Sequence, residues 1–394
     1  MNILVLGGCG AMGTEATRDL VRTSEFTEIL VADADLPRAQ ALCEELGDRR
    51  LRAVRVDAGD SAALRGLMAQ ANLVLNCTPY TFGLIVTEAA IAARRPLLDL
   101  GGLYNTPRQL ALDEQARQAG ITIVLGMGAT PGITNLMARA GADQMSQVHE
   151  VHIAFATFRR MAPSPGLLST VLDEFSPSTM RFYYEEGRFV EVPPFAGERE
   201  VEFAPPVGRQ RVYIVPHSET HTLPRFLPGV RRVDVRGTWR PEIMAALRLY
   251  AEVGLLSADP VAVGDVRIAP KELLRTLYLQ SERHREDEGE YAFFLHVEVV
   301  GSRDGREVVA TYNLSHPPRS AWGTTATARV TGIPASIGAQ RLARGEVTRT
   351  GVLAPEAAFE PTGFFRALAE RDIFISEQVQ MRRRFLATGS AGAL

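Results

Sequence analysis

One unit repeats through the first 126 residues, and that repeat restricts the fold more than any other feature of the chain. Apolar strand patterns begin near Asn2, Glu28, Leu51, Leu73, Pro96 and Ile121, 22 to 26 residues apart. A helical pattern fills the intervals, and this alternation predicts βαβ units around a parallel sheet. Asp35 with Pro37 opens the second helix and Gly47 closes it, while Asp60 opens the third. Thr106-Pro107 opens the fifth, which Gly120 ends. Met12, Ala16 and Leu20 place one apolar stripe on the first helix. The expected fold class is α/β, with a doubly wound parallel sheet at the N-terminus.

A glycine pattern stands where such a sheet binds a dinucleotide. Gly8-Cys9-Gly10-Ala11-Met12-Gly13 follows the first strand directly and opens the first helix. Gly8 is expected to make the tight turn, Gly10 to let backbone approach a pyrophosphate, and Gly13 to let helix pack on strand. The amides of Ala11 and Met12 would then face the anion. The second strand ends at Asp33, 20 residues after Gly13. A carboxylate there accepts both ribose hydroxyls of NAD and repels a 2′-phosphate, so NAD is expected over NADP, with Arg38 nearby as the one opposing charge. Later strand ends are polar or small: Asp57, then Asn76-Cys77-Thr78-Pro79, then Asp99 with Gly101-Gly102. Asp57, Asn76, Thr78, Pro79 and Asp99 join the cofactor candidates, because ligands of open parallel sheets sit at the carboxyl edge.

From about residue 145 the rhythm changes. Val148 to Phe155 reads as a strand and is followed by a Pro- and Ser-rich stretch, Met161 to Pro177. Short strand patterns recur at Glu200–Phe203, Arg211–Val215 and Arg232–Arg236. Tyr291–Val300 and Glu307–Asn313 flank Arg303-Asp304-Gly305, a hairpin signal. Helical patterns cover Pro241–Leu256 and Pro270–Arg285, so this half reads as α+β. The tail from Thr324 to Phe385 returns to helix, interrupted in the middle by Pro334, and Ala387–Leu394 reads as a loose end. The expected division is 1–130, 131–322 and 323–394, with the last segment, Thr324–Glu377 in particular, packing back on the first domain.

Charge and composition narrow the partners. A formal net charge of -3 gives no electrostatic reason to expect nucleic acid. No apolar run approaches the ~18 residues of a membrane span, and no basic, cleavable leader precedes the first strand, so a cytoplasmic protein is expected. Cys9, Cys43 and Cys77 have no metal-binding spacing. Of the 43 basic residues, 42 are arginine, and any mechanism needing a lysine must use Lys271.

Two further stretches carry candidate chemistry. Gly126-Met127-Gly128-Ala129-Thr130-Pro131-Gly132-Ile133-Thr134-Asn135 follows the sixth strand, with Pro131 where a first helical residue would stand. It reads as a glycine-rich hinge bordering a ligand cleft. His217-Ser218-Glu219-Thr220-His221 is not HExxH, since Glu219 lies two places after His217, and no third ligand is in view, so no metal is expected. His217 and Glu219 on an extended segment after a strand would share a face and could move a proton. The Tyr-x-x-x-Lys device of short-chain dehydrogenases is absent, because position 267 is Arg267.

These stretches together resemble the saccharopine dehydrogenase family, especially the branch resembling lysine 6-dehydrogenase. The likeness lies in VLGGCGAMG, Asn76-Cys77-Thr78-Pro79, residues 98–110, 126–138, 217–224 and 330–337, and the closing GVLAPEAAF with FRALAERDI. It implies an N-terminal Rossmann domain, an inserted α+β domain for substrate contact and dimerisation, and a C-terminal segment returning to the first domain. It also implies an NAD(P)-dependent oxidoreductase acting on a C–N bond of an amino acid, in a homodimer or higher homo-oligomer. Oxidative deamination of the lysine side-chain amine leads the readings, with a saccharopine reductase-like or carboxynorspermidine-type imine reductase activity as alternatives. A non-catalytic NAD(P) sensor is the alternative of another class. Amine oxidation needs an ammonium deprotonated, a hydride removed and the imine hydrolysed, so His217 with Glu219 is the candidate acid–base pair. Tyr80, Gly101, Gly102, Thr130, Pro131, Gly132 and Asn135 are the candidate substrate contacts. A substrate carboxylate would be held by the helix-start amides at Thr130–Gly132 or by one of Arg225, Arg231, Arg232, Arg236 and Arg240.

Overall fold

The computed structural model describes residues 1–158, 161, 165–205, 207–281, 293–317, 319–322 and 326–382. The expected loose end Ala387–Leu394, the start of the hairpin strand at Tyr291 and the domain boundary at 323 lie outside them.

Six strands arise at the expected places: β1 (Asn2–Leu6), β2 (Glu28–Asp33), β3 (Leu51–Arg55), β4 (Leu73–Asn76), β5 (Leu97–Asp99) and β6 (Thr122–Val124). Ile3 to Leu6 and Ile29 to Ala32 have no solvent exposure, as expected of parallel strands covered on both faces. Asp35 and Asp60 cap their helices with side-chain oxygens, and Gly47 closes Leu36–Leu46 in the left-handed conformation. The expected fifth helix is two helices, Asn105–Leu110 and Asp113–Ala119, because the chain bends at Ala111-Leu112. The tight turn after β1 falls on Gly7 (φ 68°) instead of Gly8. A Cβ on Gly7 would stand 2.9 Å from the Cys77 carbonyl, so glycine lets the loop after β1 touch the loop after β4.

The second half supplies β7 (Gln147–Thr157), β8 (Arg181–Glu185), β9 (Arg188–Val192), β10 (Arg199–Glu202), β11 (Arg209–Ile214) and β12 (Arg232–Trp239). There follow β13 (Val261–Val263), β14 (Val266–Ile268), β15 (Phe293–Arg303), β16 (Arg306–His316), β17 (Gly351–Leu353) and β18 (Ile375–Arg382). The β15–β16 hairpin turns at Asp304-Gly305, both with positive φ, which matches the right-handed twist of its strands. Within the Pro- and Ser-rich stretch, Pro165–Phe175 is a helix.

Two main sheets result. The first runs β17-β6-β5-β4-β1-β2-β3, and all its pairings are parallel. Its strand order reverses between β1 and β4, the place where such sheets open a ligand crevice. The second runs β10-β11-β12-β7-β15-β16-β18, with β8 and β9 attached beside β12. One apolar core joins the two sheets, from Ile3 and Val5 through Ile133, Leu136 and Met137 to Val151 and Ile153.

The C-terminal segment serves both sheets. Helix Ala326–Ala343 packs on helix Ala11–Thr23, and β17 extends the first sheet, but β18 pairs with β16 in the second. Packing back on the first domain thus holds as far as Arg371, which pairs with Asp19 of helix Ala11–Thr23, and not for β18. Pro334 does not interrupt the 326–343 helix, which runs through it with most of its residues buried. Burial on several faces outweighs the one backbone bond that proline removes. The close approach depends on Gly332, where a Cβ would lie 2.5 Å from the Met12 carbonyl oxygen and 2.8 Å from the Ala16 nitrogen. Gly332→Ala is expected to cost about 1–3 kcal/mol by overpacking. Urea unfolding checks it: an unchanged midpoint would show that the two helices have room to part.

Candidate active site

A cavity of about 740 Å³ opens at the carboxyl edge of the first sheet and is roofed by the second domain. Gly10, Ala11, Met12 and Arg38 line one end. Thr78, Pro79, Tyr80, Gly101, Gly102, Thr130 and Pro131 line the middle. The second domain adds Phe155, Asp173, Glu174, His217, Trp239, Lys271 and Arg275, and the returning helix adds Thr327 and Thr331. Phe155 packs against the His217 ring at 5.4 Å and edge-on to Trp239 at 5.5 Å, giving the imidazole an apolar backing.

His217 does not lie on an extended segment. It stands in a loop, and Glu219 begins helix Glu219–Phe226. The turn into that helix nevertheless brings His217 Nδ1 to 3.0 Å from Glu219 Oε2. Glu219 has no solvent exposure and does not line the cavity. Its Oε1 accepts from Thr130 Oγ1 at 2.6 Å and Thr134 Oγ1 at 2.7 Å. Burial alone would raise the carboxyl of Glu219, yet the charge and hydrogen bond of His217, with the two threonines, hold it below its usual range. Burial likewise opposes charge on His217, but Glu219, and Glu174 with Oε1 3.9 Å from His217 Nε2, raise it above the ordinary imidazole value. The two shifts favour the imidazolium–carboxylate form of the pair, with its carboxylate behind the wall and its imidazole at the wall.

Several expected ligand contacts serve the framework instead. Asp99 is buried: its Oδ1 accepts from the amides of Gly101 (2.8 Å) and Gly126 (2.7 Å), and its Oδ2 from Gln109. It ties two glycine loops together and has no edge toward the cavity. Asn76 accepts from the amide and hydroxyl of Thr78, and Asp57 from the amide of Gly59. Pro131 precedes helix Ile133–Ala142, which begins after Gly132 (φ 130°). Asn135 is buried, accepting from the Gly132 amide and donating to Thr222 and Glu356. Gly8 packs on Val31. A Cβ on Gly13 would stand 2.1 Å from the Gly7 carbonyl oxygen, which explains its place in the glycine pattern. Asp33 ends β2 beside the glycine loop, outside the cavity lining, and accepts from the Asp35 amide; Arg38 donates to the Cys9 carbonyl at 3.0 Å.

The arginines singled out from sequence are engaged elsewhere: Arg225 with Asp113, Arg231 with Glu186, Arg232 and Arg236 with Asp234, and Arg240 with the Phe158 carbonyl. Among the described residues, the arginine and lysine side chains lining the cavity are Arg38, Lys271 and Arg275. Lys271 Nζ donates to Asp173 Oδ1 at 2.7 Å, and the Tyr80 hydroxyl donates to Asp173 Oδ2 at 2.7 Å. Sequence reasoning missed Asp173 and Glu174, whose helix lies in the Pro- and Ser-rich stretch Met161 to Pro177. His221 packs on Phe182 and Phe189, while His152 bridges Glu150 and Asp234 and His296 faces Asn313 in the second sheet.

Glu356, behind Asn135, is fully buried, and burial pushes its carboxyl up to about 7. Only its Oε2 is bonded; Oε1 has no partner among the described residues. A folded-state value above the ordinary one means that the fold holds a proton the unfolded chain loses. Stability therefore falls as pH rises from about 4.5 to 7, by up to about 3 kcal/mol. Glu356→Gln is expected to flatten this decline. Melting temperatures of both chains between pH 5 and 8 test it, and parallel curves would place the titration elsewhere.

Comparison with known proteins agrees with this architecture. A family model described as the saccharopine dehydrogenase NADP binding domain matches residues 3–124, and one described as the saccharopine dehydrogenase C-terminal domain matches residues 128–373. Carboxyaminopropylagmatine dehydrogenase of Synechocystis is 22% identical over 388 residues, covering 93% of this chain and 95% of the relative. Carboxynorspermidine synthase of Vibrio cholerae is 23% identical, covering 89% and 91%. Among solved structures, apo saccharopine dehydrogenase (L-Glu forming) from Saccharomyces cerevisiae shares the fold with a TM-score of 0.70, at 18% identity, over 96% of this chain and 99% of that one. These relatives are enzymes, which sets aside the alternative of a cofactor sensor. With both halves matched in order on one shared fold, the chain belongs to the saccharopine dehydrogenase family as an NAD(P)-dependent dehydrogenase.

Proposed function

We propose that the chain exchanges a hydride at the carbon of a C–N bond that joins an α-amino-acid portion to an amine, a reading supported by two relatives matched over most of their length, which are named for carboxyaminopropylagmatine and carboxynorspermidine. The observation that supports it most is that one cavity is lined both by the glycine loop, at Gly10–Met12, and by Glu174 and His217, with Glu219 behind the imidazole. When bound, the nicotinamide cofactor accepts or supplies the hydride. Gly10 leaves the loop open for its pyrophosphate, since a Cβ there would meet only the Gly7 carbonyl oxygen. Asp173, Glu174 and Glu272 give the cavity an acidic wall for a cationic amine, and Lys271 and Arg275 provide positive charge for a carboxylate.

His217 handles the proton on the substrate nitrogen. As an imidazolium it donates during reduction; in the oxidative direction it must first lose its proton to accept one from the substrate ammonium. Glu219 positions the ring and raises its affinity for the proton. His217→Ala is expected to lower kcat by about 10²–10⁴ with NAD(P)H affinity unchanged. Glu219→Gln removes the charge that holds the imidazolium, so the rising limb of the oxidative pH profile moves toward acid. Near-normal turnover in His217→Ala across the pH range would end this assignment.

Asp33 makes NAD the preferred cofactor, with Arg38 as the opposing charge. Asp33→Ala is expected to weaken NADH binding about tenfold or more, the loss of one or two charge-assisted hydrogen bonds, and to improve NADPH relative to it. Fluorescence titration measures both; equal affinities in the parent chain would remove Asp33 from the ribose.

A second reading, oxidation of the lysine side-chain amine, is favoured by the stretches at 98–110 and 126–138, which contribute Leu100–Gly102 and Ala129–Pro131 to the cavity wall. A spectrophotometric panel separates the readings. The first expects NAD(P)H oxidation only when a diamine or agmatine is paired with an α-amino acid carrying a side-chain aldehyde. The second expects NAD(P)+ reduction by lysine alone, and a saccharopine reductase-like activity appears as NAD(P)+ reduction by saccharopine.

A further inference from the structure

Lys271 is the only lysine among 43 basic residues, and it lies in the wall of the cavity. A chain that otherwise uses arginine throughout keeps its one lysine in that wall, beside Arg275. Arginine would serve at least as well to hold a carboxylate, through its two-pronged geometry, but arginine does not release its proton. The position is also unfavourable for the helix. Lys271 is the second residue of Pro270–Gln280, where the positive end of the helix dipole disfavours a cation. The side chain is mostly buried and is held by Asp173, whose other oxygen takes the Tyr80 hydroxyl from the first domain. Asp173 and Glu174 are successive residues, so the Lys271–Asp173–Tyr80 cluster adjoins the Glu174–His217–Glu219 row.

We propose that Lys271 is a second acid–base residue of the site, acting on the oxygen that leaves as water when amine and aldehyde join. The inference rests on the amine-joining reading above. Joining needs protons at two atoms. The substrate ammonium sheds one proton to solvent and its nitrogen adds to the aldehyde carbon. The carbonyl oxygen takes a proton from that nitrogen and becomes a hydroxyl. The Lys271 ammonium, held by Asp173, gives its proton to the hydroxyl, which departs as water, leaving an iminium with one hydrogen on nitrogen. A reduced nicotinamide, when bound, would supply the hydride that turns this iminium into the secondary amine. Lys271 regains its proton from solvent, balancing the one shed by the substrate ammonium, and His217 remains free to serve the nitrogen of the product. Asp173 positions the lysine, while Tyr80, Glu174, Glu272, Arg275 and His217 are, among the described residues, the other titratable or charged groups sharing that wall.

Two measurements test it. Steady-state assays with the active amine–aldehyde pair compare Lys271→Arg and Lys271→Ala with the parent. Both are expected to lose about 10²-fold or more in kcat with NADH affinity retained, because the proton and not the charge is needed. If Lys271→Arg stays within threefold, the lysine holds only a charge and the inference falls while the amine-joining reading stands. The second measurement needs no turnover. The parent chain is treated with an α-amino acid bearing a side-chain aldehyde and with cyanoborohydride, and the reduced adduct is mapped by mass spectrometry. The sole lysine and the Met1 amine are the two primary amines that can react. Labelling of Lys271 ahead of the more exposed Met1 is expected if the aldehyde carbon docks against Nζ. Labelling of Met1 alone would overturn the placement. Labelling of Lys271 in a chain that turns over no amine–aldehyde pair would leave the lysine at a bound aldehyde and refute the reading of the reaction.

Discussion

A carboxylate without solvent exposure holds the two halves of the site together. Glu219 belongs to the second domain, but both oxygens are engaged: two hydroxyls from the hinge after β6 reach one, and His217 reaches the other. A buried charge left without such partners costs several kcal/mol, so the hinge, the loop before helix Glu219–Phe226 and the imidazole are fixed as a set. The geometry of the cavity follows from that requirement. His217 can face the crevice of the first sheet only while Thr130 and Thr134 remain where Glu219 needs them. The cavity therefore depends on a polar contact that substrate never touches.

The first sheet was legible in the sequence because its strands are buried on both faces and so read as short apolar runs at even spacing. The glycine pattern was legible for the same local reason, although Gly7 makes the turn assigned to Gly8. Where long-range packing decided the outcome, the sequence misled. Pro334 reads as a breaker, yet its helix is pressed between neighbours that keep it continuous. Asp99 reads as a ligand residue at a strand end, yet the amides of Gly101 and Gly126, 25 residues apart, claim it first. His217 and Glu219 were paired for a geometric reason that does not apply, since a helix start and not a strand brings them together. Asp173 and Glu174 carried no pattern of their own. Lys271 did carry one, its uniqueness, but nothing in the sequence said which wall it would join.

Composition also affects how charge in the site is understood. Arginines are abundant enough that each of those near His217 in sequence found a carboxylate or carbonyl elsewhere, and proximity along the chain said little. The charges that matter come from helices Pro165–Phe175 and Pro270–Gln280, which approach the crevice from the second domain. Two carboxylates on consecutive residues divide the work there. Asp173 faces a lysine and a tyrosine, and Glu174 approaches a histidine.

Three stretches of chain far apart in sequence close around this space. The glycine loops of the first sheet form the floor, the second domain forms the roof, and helix Ala326–Ala343 returns to supply Thr327 and Thr331 along one side. A Cβ on Gly128 would lie 3.0 Å from the Thr331 methyl, so that returning helix touches the hinge itself. The same helix is locked to Ala11–Thr23 through Gly332, immediately beyond the residues that line the cofactor end. Motion of the second domain against the first would therefore strain the returning helix, the hinge and the glycine loop together. A dehydrogenase that must keep water from the carbon that exchanges the hydride benefits from such coupling, because no single wall can open without disturbing the others.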